Sequence, residues 1–208
     1  MITTRRVVLA ATLLSGAALA SAAGAQTGPQ IGAPAPAFTS VDVDGRKVSL
    51  SDYKGKTVVL EWTNDGCPFV KKHYDGRNMQ ALQSKWTGRD VVWLTVISSP
   101  LGEQGYADGP KAKALTAASG ARPTAVLLDP AGDVGRAYRA QVTPHMYVVR
   151  GDGTLAYMGG IDDKPSTRLE DLQGARNYVD AALSDLAEGR PVSTPTARAY
   201  GCTVKFTS

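Results

Sequence analysis

The sequence predicts an α/β sandwich built around one central sheet. Three observations carry this. Two apolar runs of strand length, Thr57–Trp62 and Val91–Ile97, read as strands buried on both faces. Helical segments follow each of them, as connections between parallel strands require. Two short apolar segments flanking Asp152-Gly153 read as a closing antiparallel hairpin.

The elements follow in order. Residues 26–36, rich in Gly, Pro and Ala, form an extended lead-in. Phe38–Val43 and Lys47–Leu50 alternate around the turn signal Asp44-Gly45 and make a hairpin. Ser51-Asp52 caps a short turn before the first core strand. A helix then starts at Cys67-Pro68, since proline suits the first helical position, where its missing N–H costs nothing. Val70, Tyr74, Met79, Leu82 and Trp86 supply its buried side, and Asp75-Gly76 interrupts it. After the strand at 91–97 and the Gly-rich loop 101–110 come a helix at 111–118, a strand at 124–128 and a short helix at 133–139. The hairpin strands are Met146–Val149 and Thr154–Met158. A final amphipathic helix is expected over Leu169–Leu186, with residues 190–208 as a tail that carries Cys202.

Of the 208 residues, 43% are hydrophobic and two are cysteine, which excludes a disordered chain and a disulfide-scaffold mini-protein. Two cysteines alone cannot build a four-ligand zinc site. Residues 1–25 read as an export signal. Arg5 and Arg6 precede an apolar stretch from Val7 to Ala20, and A-x-A patterns end at Ala22 and Ala25, the latter favoured for cleavage. Thr4–Leu9 also partly matches a twin-arginine signal. Removing this segment leaves 21 basic and 19 acidic residues, a net of +2 rather than +4, so nucleic acid is not an expected partner. No later apolar run is long enough to span a bilayer. The expected location is the periplasm or the exterior, where thiols meet an oxidising environment.

The informative stretch is Val58–Val70. A strand runs directly into Cys67 at a helix N-terminus, where unpaired N–H groups and the helix dipole favour a thiolate. Pro68 fixes the helix start. Glu61, six residues earlier in a strand expected to be buried, can hold a raised pKa and exchange a proton with the thiol; the alternative is an edge-facing surface acid.

These residues resemble the thioredoxin-like superfamily, most closely its redoxin branch of alkyl hydroperoxide reductase/thiol-specific antioxidant proteins and periplasmic thioredoxin-like reductases. The likeness covers residues 31–188. It includes the lead-in Gly32–Phe38, the Leu50–Lys56 segment and Val142-Thr143-Pro144-His145. It implies a thioredoxin-like three-layer α/β/α sandwich with an N-terminal β-hairpin extension, with Cys67 as nucleophile, Glu61 as the buried acid and Pro144 as a cis-proline beside the cysteine. Thr143, Pro144, His145 and Pro68 would then contact substrate. No cofactor is implied.

The sequence departs from its relatives at several points. Position 70 is Val, so the second cysteine of Cys-x-x-Cys is missing. Leu60 and Asn64 stand where a peroxiredoxin carries Pro and Thr or Ser, which makes a disulfide a better substrate than a peroxide. Arg122 or Arg139 is left as an electrostatic helper. The tail from Pro191 can stretch about 36–43 Å at ~3.3–3.6 Å per residue, so Cys202 can reach Cys67 as a resolving partner, or form a permanent staple with it in a redox-inert binding module. A copper site of Cys67, His145 and Cys202 is a further alternative, but the Cys-x-x-x-Cys of copper chaperones of the Sco type is absent, with Lys at 71. His73 reads as a solvated helix residue, and Trp62, Trp86 and Trp93 as core aromatics. The expected partners are a thiol or disulfide substrate, protein or small molecule, and an unidentified electron donor.

Overall fold

The computed structural model describes residues 28–206. The expected export signal at 1–25 lies outside them.

The first hairpin pairs β1 (Thr39–Asp42) with β2 (Lys47–Ser49), and a 3₁₀ turn (Leu50–Tyr53) follows, with the Asp52 carboxylate accepting from the Ser49 N–H at 2.7 Å. β3 (Val58–Trp62) leads to α1 (Pro68–Asp75) and α2 (Asn78–Thr87), a helix pair broken at Gly76. Then come β4 (Val92–Ile97), α3 (Gly109–Ser119), β5 (Ala125–Leu128) and α4 (Asp133–Ala137). The two-residue β6 (Val142–Thr143) precedes β7 (His145–Val149) and β8 (Leu155–Gly159). α5 (Tyr178–Ala187) and the two-residue β9 (Cys202–Thr203) are the last elements of the described residues.

Seven strands form one sheet in the order β2-β1-β5-β4-β3-β7-β8. β3, β4 and β5 run parallel, flanked by antiparallel pairings of β1 with β5 and of β3 with β7. Every residue of β3 and β4 is buried, because helices cover both faces of the sheet. Alternation then sorts the core. Val58, Leu60 and Trp62 pack with Val134 and Tyr138 on one face. Val59, Trp93 and Met146 pack with Met79, Trp86 and Leu183 on the other.

Two findings differ from the sequence reading. The long final helix is a 3₁₀ turn at Leu169–Leu172 followed by α5. Gly174, at φ 72°, breaks the run, and the Asn177 side chain caps the new helix by accepting from the Asp180 N–H at 2.9 Å. The tail is laid along the body as a strap. Met158 exchanges backbone hydrogen bonds with Pro195 and Ala197, and Val204 is buried in the sandwich core.

Candidate active site

The loop out of β3 is built around Asn64. Its side chain accepts from the Gly66 N–H at 2.9 Å and donates to the Gln104 carbonyl at 3.2 Å, while its own carbonyl accepts from the Cys67 N–H at 3.0 Å. Cys67 is thereby set as the N-cap of α1 in extended backbone (φ −80°, ψ 120°), with exposed Pro68 as the first helical residue. The sulfur is fully buried and donates to the Thr143 carbonyl at 3.1 Å. The Thr143–Pro144 peptide is cis.

Across from Thr143 lies Cys202, its register partner in the β6–β9 pair, with Val142 opposite Thr203. Both cysteines are free thiols, and each acts on the ionisation of the other. Burial works against a charged Cys67, but hydrogen bonds from the Cys202 thiol, from Thr143 and from the Val70 and Cys202 backbone outweigh it, so its pKa lies below that of an ordinary thiol. Burial, with Cys67 alongside, pushes the half-buried Cys202 thiol up to about 12. Cys67 is thus the more acidic of the two thiols.

The other sequence candidates are placed as follows. Glu61 is fully buried, and its carboxyl accepts from Tyr74 Oη (2.7 Å), Trp93 Nε1 (2.7 Å), Gln83 Nε2 (3.1 Å) and Thr95 Oγ1 (3.2 Å). Burial raises its pKa and those four donors draw it back. Cys67 is not among its partners, so the carboxyl ties α1 and α2 to β4. His145 is buried too; its Nδ1 meets the Gln141 N–H at 3.3 Å and the Tyr147 hydroxyl at 3.1 Å, and burial pushes the ring down to about 4. Neither sulfur is a hydrogen-bond partner of His145. No group of three or more His, Cys, Asp or Glu side chains among the described residues is arranged to hold a metal ion. Arg122 and Arg139 are exposed.

His73 corrects the sequence reading: it is fully buried, not solvated. It joins a cluster that polarity alone does not reveal. Lys72, buried to 1% exposure, donates to the Lys164 carbonyl at 2.7 Å and to Tyr200 Oη at 3.2 Å, with its ammonium 3.7 Å from Asp162 Oδ2. The Tyr200 hydroxyl donates to Asp162 Oδ1, and His73 Nε2 lies 3.2 Å from the same hydroxyl. Burial and the Lys72 charge hold His73 down at about 3. The cluster grips the strap two residues before Cys202. A cavity of 320 Å³ lies on the other side of α1, between Val70, Tyr74, Ile97, Leu115 and Val126.

A strand feeding an N-capping cysteine, a cis-proline beside the sulfur and this strand order together define a thiol protein of thioredoxin fold. Residues 31–158 match the family model described as "AhpC/TSA family", and the chain belongs to that family. It is 23% identical over 126 residues to the thiol-disulfide oxidoreductase ResA of Bacillus thuringiensis subsp. konkukian, covering 61% of this chain and 67% of that protein. Among solved structures, an uncharacterized conserved protein from Geobacillus kaustophilus superposes with a TM-score of 0.73 at 27% identity, covering 86% of this chain and 93% of that one. The pneumococcal exposed lipoprotein thioredoxin (Etrx1) of Streptococcus pneumoniae superposes at 0.51 with 26% identity, covering 73% of this chain and 98% of that one.

Proposed function

We propose that this chain is an exported thiol–disulfide oxidoreductase in which Cys67 is the nucleophile and Cys202 the resolving cysteine. The observation that carries the reading is the β6–β9 pairing, which sets Cys202 against Thr143, the residue whose carbonyl accepts from the Cys67 thiol. The Cys67 thiolate attacks one sulfur of a disulfide substrate and expels the other as a thiolate. Cys202 then gives up its proton and attacks the Cys67 sulfur, releasing the substrate's second thiolate and closing a Cys67–Cys202 disulfide. The substrate is reduced by two electrons and the cysteine pair oxidised by two. Because Cys67 is fully buried, the first step needs the strap to part from β6, to which it is joined by a two-residue pairing. Disulfide is favoured over peroxide because Leu60 and Asn64 bring no hydroxyl to orient a peroxide.

Export agrees with the N-terminal sequence and with the description of the pneumococcal relative as an exposed lipoprotein. No helix among the described residues is long and apolar enough to cross a membrane. Peptide mapping after reaction with a disulfide substrate tests the reading. Wild type is expected to form the Cys67–Cys202 bridge reversibly. Cys202→Ser should accumulate a mixed disulfide on Cys67, and Cys67→Ser should lose turnover by at least about a hundredfold. A bridge that resists strong reductant would make the pair a structural staple and overturn the proposal.

A further inference from the structure

The two sulfurs differ in exposure as well as in acidity, and the two properties govern different steps. Which cysteine attacks depends on which carries a thiolate. Which sulfur of a disulfide is attacked depends on which one an incoming thiol can reach, and on how well the other leaves. Cys67 is fully buried behind Thr143 and the strap, whereas Cys202 is half-exposed on the outer strand β9. A cleft of 540 Å³ opens beside Cys202. Its walls include Gly201, the preceding residue, and Val142, on the paired strand, together with Asp162, Asp163, Arg198 and Tyr200. The exposed Lys205 ammonium acts on the Cys202 thiol and favours an anionic attacker.

We propose that the electron donor is a dithiol that attacks the oxidised pair at Cys202, from the side of this cleft, with Cys67 as the leaving group. This rests on the oxidoreductase reading above. The donor's thiolate bonds to the Cys202 sulfur as the Cys67–Cys202 bond breaks, and Cys67 departs as a thiolate. The donor's second thiolate then attacks the donor sulfur of the mixed disulfide and releases Cys202. The donor ends as a disulfide, oxidised by two electrons, and the protons of its two thiols restore the reduced pair. Cys67 suits the leaving role because hydrogen bonds from Thr143 and from the Val70 and Cys202 backbone, none of which needs the Cys202 proton, favour its thiolate. The fold thus separates the two traffics: substrate is reduced at the buried sulfur and electrons arrive at the exposed one.

Glutathione, a monothiol whose first attack leaves a mixed disulfide on the sulfur it reaches, tests this on the full chain. The protein is oxidised, mapped to verify the Cys67–Cys202 cross-link, mixed with excess glutathione and quenched with N-ethylmaleimide at increasing times. Peptide mass spectrometry should find glutathione on the Cys202 peptide and maleimide on the Cys67 peptide, with an excess of about tenfold over the reverse when extrapolated to zero time. Extrapolation removes later migration of glutathione between the sulfurs. Glutathione appearing first on Cys67, or equally on both, overturns the inference and leaves the oxidoreductase reading intact. Absence of the cross-link before glutathione is added overturns that reading, and this one with it.

Discussion

Gly201 is the residue on which the cysteine pair depends. At φ 140°, its backbone lies where L side chains are rarely found, and a Cβ there would fall on the Thr143 carbonyl oxygen, the acceptor of the Cys67 thiol. The strap can lie this close to the cis-proline turn only because position 201 has no side chain. Gly201→Ala should therefore cost ~1–3 kcal/mol in local strain, or a fall in Tm of several degrees in a chain of this size. Its specific signature is at the sulfur: with the strap lifted, alkylation of Cys67 by iodoacetamide in the reduced protein should accelerate several-fold. A variant that melts lower but leaves Cys67 as protected as in wild type would show that Gly201 is not what closes the strap.

At the scale of elements, α1 is the hub. Its N-cap is Cys67, and its later residues include the buried Lys72 and His73 that grip Tyr200 on the strap. Two like-charged or ionisable neighbours inside the protein are tolerated because Asp162 faces both, with its Oδ2 at 3.7 Å from Lys72 and 3.8 Å from His73. Removing one partner of a buried pair leaves the other uncompensated, so Lys72→Met or Asp162→Leu alone should cost about 3–5 kcal/mol. The double variant should cost less than the sum, with a coupling of about 0.5–3 kcal/mol by urea unfolding. Strict additivity would mean that the two groups do not act as a pair. The same elements explain what the sequence made legible. β3 and β4 were readable because burial on both faces leaves an unbroken apolar run, and the end of α1 because Gly76 punctuates it. The 3₁₀ break before α5 was written in Gly174 and Asn177 but hidden by the helical spacing around them. β9 was not readable: two residues carry no period, and β6 lies some sixty positions away. Without the strap in place, Lys71-Lys72-His73 looks like a solvated helix face, and only Lys71 is one.

At the scale of the whole molecule, the sandwich encloses ionisable groups on both sides of its sheet, with Glu61 packed toward α2 and His145 toward Tyr147 and Tyr138. Their effects on stability have opposite signs. Burial raises the Glu61 pKa, so its contribution is fully present below the ordinary carboxylate range and is lost as pH rises through the folded value. Burial lowers His145 to about 4, against ~6.5 for an unfolded chain. Between those values the unfolded chain takes up a proton that the folded one refuses, so stability falls as pH drops through that window. His73 acts in the same direction, with a folded value of about 3. His145→Asn isolates one of these groups while leaving an oxygen to accept from the Gln141 N–H. Glu61 and His73 are common to both proteins and cancel in the comparison. The stability of wild type relative to the variant should therefore decline by about 1 kcal/mol per pH unit below ~6.5, levelling off near the folded value. Urea unfolding of both proteins at neutral pH and at two acidic values within the window measures it. Parallel stability curves would mean that the imidazole is protonated inside the fold, and that burial does not keep this side of the sheet neutral.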